Sequence, residues 1–170
     1  HDVAARGLLV TPSADLVAAV RRALARQLED LPTRATAEPA LRNGGAVLVE
    51  DLDEACRVAN AVAPEHLEVL TREPDALAPK LEHYGALFLG QGAAEVLGDY
   101  GLGPNHTLPT GGTARSAGGL SVLTFLRVRT YMRLDAGSAP REVFEDAAAF
   151  ARMEGLEGHA RSAEARLDRD

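Results

Sequence analysis

Three clusters of side chains in this sequence have the types and spacing to do chemistry. The first is Glu65-His66, directly after Pro64. A carboxylate beside an imidazole can serve two successive proton transfers, each group with its own pKa within reach of a working pH. Pro64 closes the helical pattern before it, so the pair falls in the turn that leads into a strand, and sheet edges are where ligands bind in α/β proteins. The pair alone equally describes a polar turn facing water. The second cluster is Gly98-Asp99-Tyr100 followed by Gly103-Pro104-Asn105-His106, which puts a carboxylate, a phenol, an amide and an imidazole on a glycine-rich backbone. On its own it reads as a binding loop or as a tight-turned surface loop. It lacks the Gly-Lys-Ser/Thr ending of a phosphate loop, and no Gly-x-Gly-x-x-Gly stands between a strand and a helix, so no nucleotide cradle is expected. The third is Glu154 with His159. Gly155 and Gly158 between them each cost a helix interior about 1 kcal/mol relative to alanine, which marks a break or a close packing contact.

The five histidines, His1, His66, His83, His106 and His159, show no close pairing with one another or with cysteine. Spacing alone therefore does not indicate a local metal site. Read singly, each is a surface histidine or a hydrogen-bonded one in the core.

The elements that must carry these clusters follow from periodicity. Gly7 to Thr11 reads as a buried strand stopped by Pro12, and Ser13 then caps a helix whose Leu16, Val17, Val20, Leu24, Leu28 and Leu31 share one face up to Pro32. Ala46 to Val49 is a second strand. Asp51 and Glu54 form a capping box for the next helix, which runs through Ala63. Leu67 to Leu70 and Ala86 to Leu89 read as further strands around a helical piece from Asp75 to Tyr84. Strands alternating with helices predict an α/β fold, here part of an incomplete Rossmann-like parallel sheet with flanking helices. From Gly98 to Gly119 periodicity vanishes, and a loop of that length inside a compact domain is usually functional or disordered. After it come a helical turn from Ser121, a strand from Val128 to Leu134 and two helical stretches divided near Gly155. Residues 1–120 are expected to form part of the main domain, and residues 121–170 a small, mostly helical C-terminal tail module.

The 170 residues are 46% hydrophobic and 25% charged, enough for one medium-sized core with a small appendage. The net charge of -7 excludes a nucleic-acid partner, because 18 basic residues are scattered among 25 acids. The single cysteine, Cys56, lies in a helical stretch and reads as a small buried side chain in a reducing cytoplasm. No long apolar run or signal-peptide pattern is present, so no membrane segment is expected.

Taken together, Ala63-Pro64-Glu65-His66-Leu67-Glu68, Gly98-Asp99-Tyr100, Gly103-Pro104-Asn105-His106-Thr107-Leu108-Pro109-Thr110 and Gly112-Thr113-Ala114-Arg115 resemble the histidinol dehydrogenase family, as does the tail around Glu154 and His159. The match runs in one register from His1 to the last helix. The resemblance implies the C-terminal portion of a zinc-dependent, NAD-linked enzyme of the cytoplasm that oxidises L-histidinol through L-histidinal to L-histidine, the last steps of histidine biosynthesis. It implies zinc ligands at His1, Asp99 and His159, with the family's glutamine ligand falling ahead of His1. Glu65 and His66 match the family's proton acceptors, and His66, Asp99, Glu154 and His159 match its substrate contacts; His106 fits the loop motif and is expected to line the pocket. The resemblance further implies a homodimer that exchanges its tails, with no nucleic-acid or membrane partner. The family's NAD-binding part lies upstream, so no cofactor-binding residue is assigned in this chain, and the 170 residues alone are not expected to turn over. Two other readings fit the same residues: a related zinc- and NAD-dependent polyol dehydrogenase on this scaffold, and a non-catalytic remnant kept for dimerisation.

Overall fold

β1 (Leu8–Thr11) and β2 (Gly45–Leu48) pair in parallel, Leu8 opposite Gly45 and Thr11 opposite Leu48. The approach is close where the pair begins: a Cβ on Gly44 would lie 1.9 Å from the carbonyl oxygen of Gly7, and the Gly45 N–H donates to that same oxygen at 3.0 Å. Only glycine fits there. In the computed structural model, which describes residues 2–135 and 138–167, these elements belong to the first of two compact units, residues 1–125, and the second comprises residues 126–170.

Between the two strands run α1 (Ala14–Glu29) and α2 (Arg34–Asn43). Ser13 caps α1 as expected, its hydroxyl accepting from the Leu16 N–H at 3.1 Å, and the helix ends ahead of Pro32. The apolar stripe of α1 forms, yet no residue of the helix is buried, and Leu16 and Leu24 stay 45% and 36% exposed. α2 is an element the periodicity does not announce, because its Ala, Thr and Glu residues carry no apolar stripe and Pro39 sits inside it.

α3 (Leu52–Val62) starts at Asp51, whose carboxylate accepts from the Glu54 N–H at 2.7 Å, while the Glu54 carboxylate accepts from the Glu50 N–H at 2.6 Å. The Asp51 half is the cap that the spacing predicts; the return bond from Glu54 goes to the N–H one residue before the cap. It delivers β3 (His66–Val69), which pairs in parallel with β4 (Ala86–Leu89), His66 opposite Ala86 and Val69 opposite Leu89. The parallel strands and flanking helices are those of the expected α/β class. Among the described residues they form two separate two-stranded pairs, not one continuous sheet.

The core lies under the second pair. Cys56, Ala59, Val69, Leu77 and Leu81 are buried together, with Leu67, Tyr84, Leu87 and Leu89 packed against them. Burial pushes the Cys56 thiol up, away from the reactive thiolate, which fits its reading as a small core side chain. The segment expected as one helix from Asp75 to Tyr84 is instead α4 (Pro74–Leu77) and a 3-10 turn (Ala78–Lys80), since Pro79 cannot continue an α-helical ladder. Asn60 on α3 clamps the chain just beyond this turn: its amide donates to the Lys80 carbonyl at 2.8 Å and accepts from the Glu82 and His83 N–H groups at 2.8 and 3.3 Å.

The glycine-rich stretch after β4 contains one short helix, α5 (Val96–Asp99), and 3-10 turns at Thr113–Arg115 and Val122–Phe125. In the second unit, the strand expected at Val128 to Leu134 does not form. A strand needs a partner for its backbone groups, and none pairs with this stretch among the described residues, where Val128, Tyr131 and Met132 are 97%, 84% and 84% exposed. The two helical stretches are α6 (Arg141–Met153) and α7 (Glu157–Glu164), turned by Gly155 at φ 76° and joined through buried Ala148, Ala151 and Ala160. Small residues let the two backbones approach closely. Arg152 spans both helices, reaching Glu157 at 3.1 Å and Glu164 at 2.6 Å, and holds both carboxyls below the usual range.

Candidate functional site

The chain leaves α3 through Ala63, a fully buried residue in the left-handed conformation at φ 50°. That turn places Pro64 and Glu65 against the start of β4: the Gly85 N–H donates to the Pro64 carbonyl at 2.9 Å and the Ala86 N–H to the Glu65 carbonyl at 2.8 Å. A Cβ on Gly85 would sit 2.5 Å from the Glu65 oxygen, so this closeness depends on glycine. Glu65 and His66 are thus fixed at the lip of the strand pair, the position the sequence assigns them.

His66 packs against the ring of Phe88, with centroids 6.0 Å apart and planes inclined at 38°. Phe88 is 7% exposed and also meets α5. A Cβ on Gly98 would lie 2.9 Å from Phe88 Cε1 and Cζ, so the absence of a side chain at Gly98 lets α5 settle onto this ring. The settling brings two carboxylates toward the imidazole. His66 Nε2 lies 3.3 Å from Glu95 Oε1, and ligand atoms of His66, Glu95 and Asp99 all fall within 4.8 Å of one another. Glu68, two residues beyond His66 and so on the same side of β3, accepts from the Glu95 N–H at 3.0 Å.

Glu95 is the residue the sequence reading misses. Glu95 and Asp99 are one helical turn apart, a spacing that puts two carboxylates on one face. The aperiodic stretch expected from Gly98 begins inside α5, so no helical pattern in the residues announces it.

His106 is exposed on a loop anchored by its neighbours. Asn105 donates to the Leu120 carbonyl at 2.7 Å and accepts from the Thr107 N–H at 2.9 Å, and the Leu120 N–H donates to the Thr107 carbonyl at 2.8 Å. Leu108 and Pro109 lie against Gly85, 3.2 Å from where a Cβ there would stand, so the loop rests on the strand start that carries Glu65. Arg115 ties the same stretch to α3 through the Ala61 carbonyl. Of the residues singled out from sequence, the structure brings His66 and Asp99 together. Glu154 and His159 are exposed in the second unit, and His1 lies outside the described residues. Among the described residues no helix is long and apolar enough to cross a membrane.

An imidazole facing two carboxylates, with Glu65 the residue before it in the chain, can move protons and offers the nitrogen and oxygen donors that borderline metal ions take. Fold and site together define an α/β protein with an acid–base edge and a set of metal-competent donors. The histidinol dehydrogenase family model matches residues 1–167, and the chain belongs to that family. It is 51% identical over 170 residues to histidinol dehydrogenase of Geobacillus kaustophilus and 48% identical over 170 residues to that of Heliobacterium mobile, in each case covering 99% of this chain and 40% of the relative. A crystal structure of histidinol dehydrogenase from Elizabethkingia anophelis superposes with a TM-score of 0.89 at 27% identity, over 98% of this chain and 38% of that one. The chain therefore spans about 40% of the length of the curated relatives it matches.

Proposed function

We propose that this chain is the C-terminal part of a cytoplasmic enzyme that oxidises L-histidinol through L-histidinal to L-histidine, using zinc and NAD. The observation that carries the reading is the convergence of the His66 imidazole on the Asp99 carboxylate, from a strand and a helix remote in sequence. The donors fit a zinc ion in kind: Asp99 offers an oxygen and His1 and His159 offer imidazole nitrogens, the ligands this metal prefers. Zinc, when bound, supplies a template that holds the substrate's nitrogens, and NAD accepts the hydrides. The nicotinamide dinucleotide is assigned to the part of the relatives that this chain does not span.

The chain's own residues divide the proton work. His66 accepts the hydroxyl proton as the first hydride leaves the carbinol carbon, and the aldehyde remains in the site. Glu65 then takes a proton from water as that water adds to the aldehyde, the His66 imidazolium gives its proton to the carbonyl oxygen, and the resulting hydrate loses the second hydride with the regenerated His66 as base. His106 lines the pocket, and Glu154 and His159 complete the substrate and metal contacts from the tail of a second copy in a homodimer. Support for this exchange comes from the apolar side chains of residues 122–134, which stay exposed among the described residues, and from a helical hairpin whose buried residues are three alanines.

The test uses the complete enzyme that contains this segment. His66→Asn should lower both the oxidation of histidinol and the back reduction of the aldehyde by about 100-fold or more, the usual contribution of a general base. Glu65→Gln should depress alcohol-to-acid turnover while sparing the aldehyde-to-alcohol reaction, because only hydration uses that carboxylate. Equal losses in both directions for Glu65→Gln would overturn the division.

A further inference from the structure

We propose that Glu95 is a positioning residue for His66: its carboxylate accepts the Nε2–H, fixing the ring and its tautomer so that the Nδ1 lone pair is the one that takes the substrate proton. The inference deepens the acid–base reading above and rests on it. Four observations place the carboxylate there. His66 Nε2 and Glu95 Oε1 are 3.3 Å apart, within reach of a charge-assisted hydrogen bond. Such bonds are often long before substrate arrives. Glu95 is held from its other side, its N–H donating to Glu68 Oε1 at 3.0 Å from the same face of β3 that presents His66. The imidazole is confined by Phe88, at 6.0 Å between centroids, so it has a packed surface on one side and a carboxylate at one nitrogen. Finally, Gly98 keeps α5 on Phe88, where any larger residue would push Glu95 away.

The chemistry balances within the reaction already assigned. The substrate O–H bond breaks and its proton passes to Nδ1. The carbinol C–H bond breaks with its electron pair, the hydride goes to the nicotinamide ring, and the carbonyl double bond forms. The imidazolium that results carries a positive charge at the ring that Glu95 faces, and the carboxylate offsets it without taking the proton. This is the logic by which a carboxylate orients a histidine base in hydrolases, where losing it strands the ring in the wrong tautomer. At 41% exposure Glu95 is screened by water, which favours a modest effect over the largest ones known.

Two measurements test the assignment. In the 170-residue chain labelled with nitrogen-15 histidine, a downfield ring N–H proton correlated with His66 Nε2 should be visible, because a bonded proton exchanges slowly with water. His66→Asn identifies it, and Glu95→Ala should remove it. Its absence in the unsubstituted chain, or its persistence in Glu95→Ala with circular dichroism unchanged, would overturn the proposal. In the complete enzyme, Glu95→Ala should lower kcat about 100-fold with KM within about twofold, and Glu95→Gln, which can still accept the N–H, should recover part of the loss. A raised KM with kcat unchanged would make Glu95 a substrate-binding group instead. If the unsubstituted complete enzyme fails to oxidise histidinol, the functional reading fails, while the N–H resonance still decides the Glu95–His66 contact.

Discussion

The segment from α3 to α5 and the stretch that opens the second unit, Leu126 to Leu134, use similar residues to opposite ends. The first closes on itself: Cys56, Ala59, Val69, Leu77 and Leu81 are buried together, and Phe88 at 7% exposure supports His66. The second leaves Leu126, Val128, Tyr131 and Met132 between 65% and 97% exposed. Within the first unit, then, the acid–base edge is assembled from β3, β4 and α5. The tail carries apolar surface that the described residues leave exposed, and on the proposed reading a second copy covers it. The lesson is that the two halves of the proposed site differ in what they depend on. His66 and Asp99 meet within the first unit; on the proposed reading His159 comes from the tail of a second copy.

The comparison breaks most severely where a single buried ring supports the local half. Phe88→Ala should cost about 3–5 kcal/mol of stability in the first unit, the usual penalty for emptying a buried phenylalanine position, and should loosen both His66 and α5. Urea unfolding of the 170-residue chain reads this directly, and a midpoint within error of the unsubstituted chain would show that Phe88 is not a support. Gly98→Ala is the smaller change with the sharper point. Its methyl group would stand 2.9 Å from Phe88, and relieving that contact should cost about 1–3 kcal/mol. Glycine-to-alanine changes in helices ordinarily stabilise, so a gain at Gly98 would contradict the close packing inferred here.

The smallest effect belongs to the tail. Glu157 and Glu164 have carboxyls lowered from 4.5 chiefly by hydrogen bonds from Arg152. A depressed acid contributes stability that is present above its unfolded value and lost as pH falls through its folded one. Arg152→Ala should therefore lower the unfolding midpoint slightly at pH 6 and by less at about pH 3, below the unfolded value, where part of that stability is already lost. All three groups are exposed, so solvent screening keeps the difference small. Equal losses at both pH values would show that Arg152 acts through packing alone.

How much of this was legible from the residues depends on whether the signal was local. Ser13, Asp51 with Glu54, Pro12, Pro32 and Pro64 announce the helix starts and stops because capping and proline chemistry act within a few residues. Glu65 and His66 could be placed at a strand lip for the same reason. α2 was not legible: Pro39 and a run without an apolar stripe argue against a helix that tertiary context nonetheless permits. The strand expected at Val128 to Leu134 failed from the other direction, since its β-branched and aromatic residues fit a pleated surface that no described segment of this chain supplies. Glu95 escaped because its partner, His66, is distant in sequence, and such a meeting depends on Phe88 and Gly98 allowing α5 to approach. The roles of His1, Asp99 and His159 as a ligand set came from family resemblance, for no spacing rule links residues so far apart.

The central claim, that the local half of the site in one subunit is completed by the tail of another, is tested most directly with mixed dimers of the complete enzyme. His66→Asn and His159→Asn should each be nearly inactive as homodimers, because every site lacks one group. In a mixed dimer with exchanged tails, one site carries both defects, and the other combines the intact core of the His159→Asn subunit with the intact tail of the His66→Asn subunit. Co-refolding equal amounts should place about half the molecules in mixed dimers with one working site of two, restoring about a quarter of the unsubstituted activity under random pairing. No recovery of activity, with mixed dimers confirmed by mass spectrometry, would mean that each subunit completes its own site.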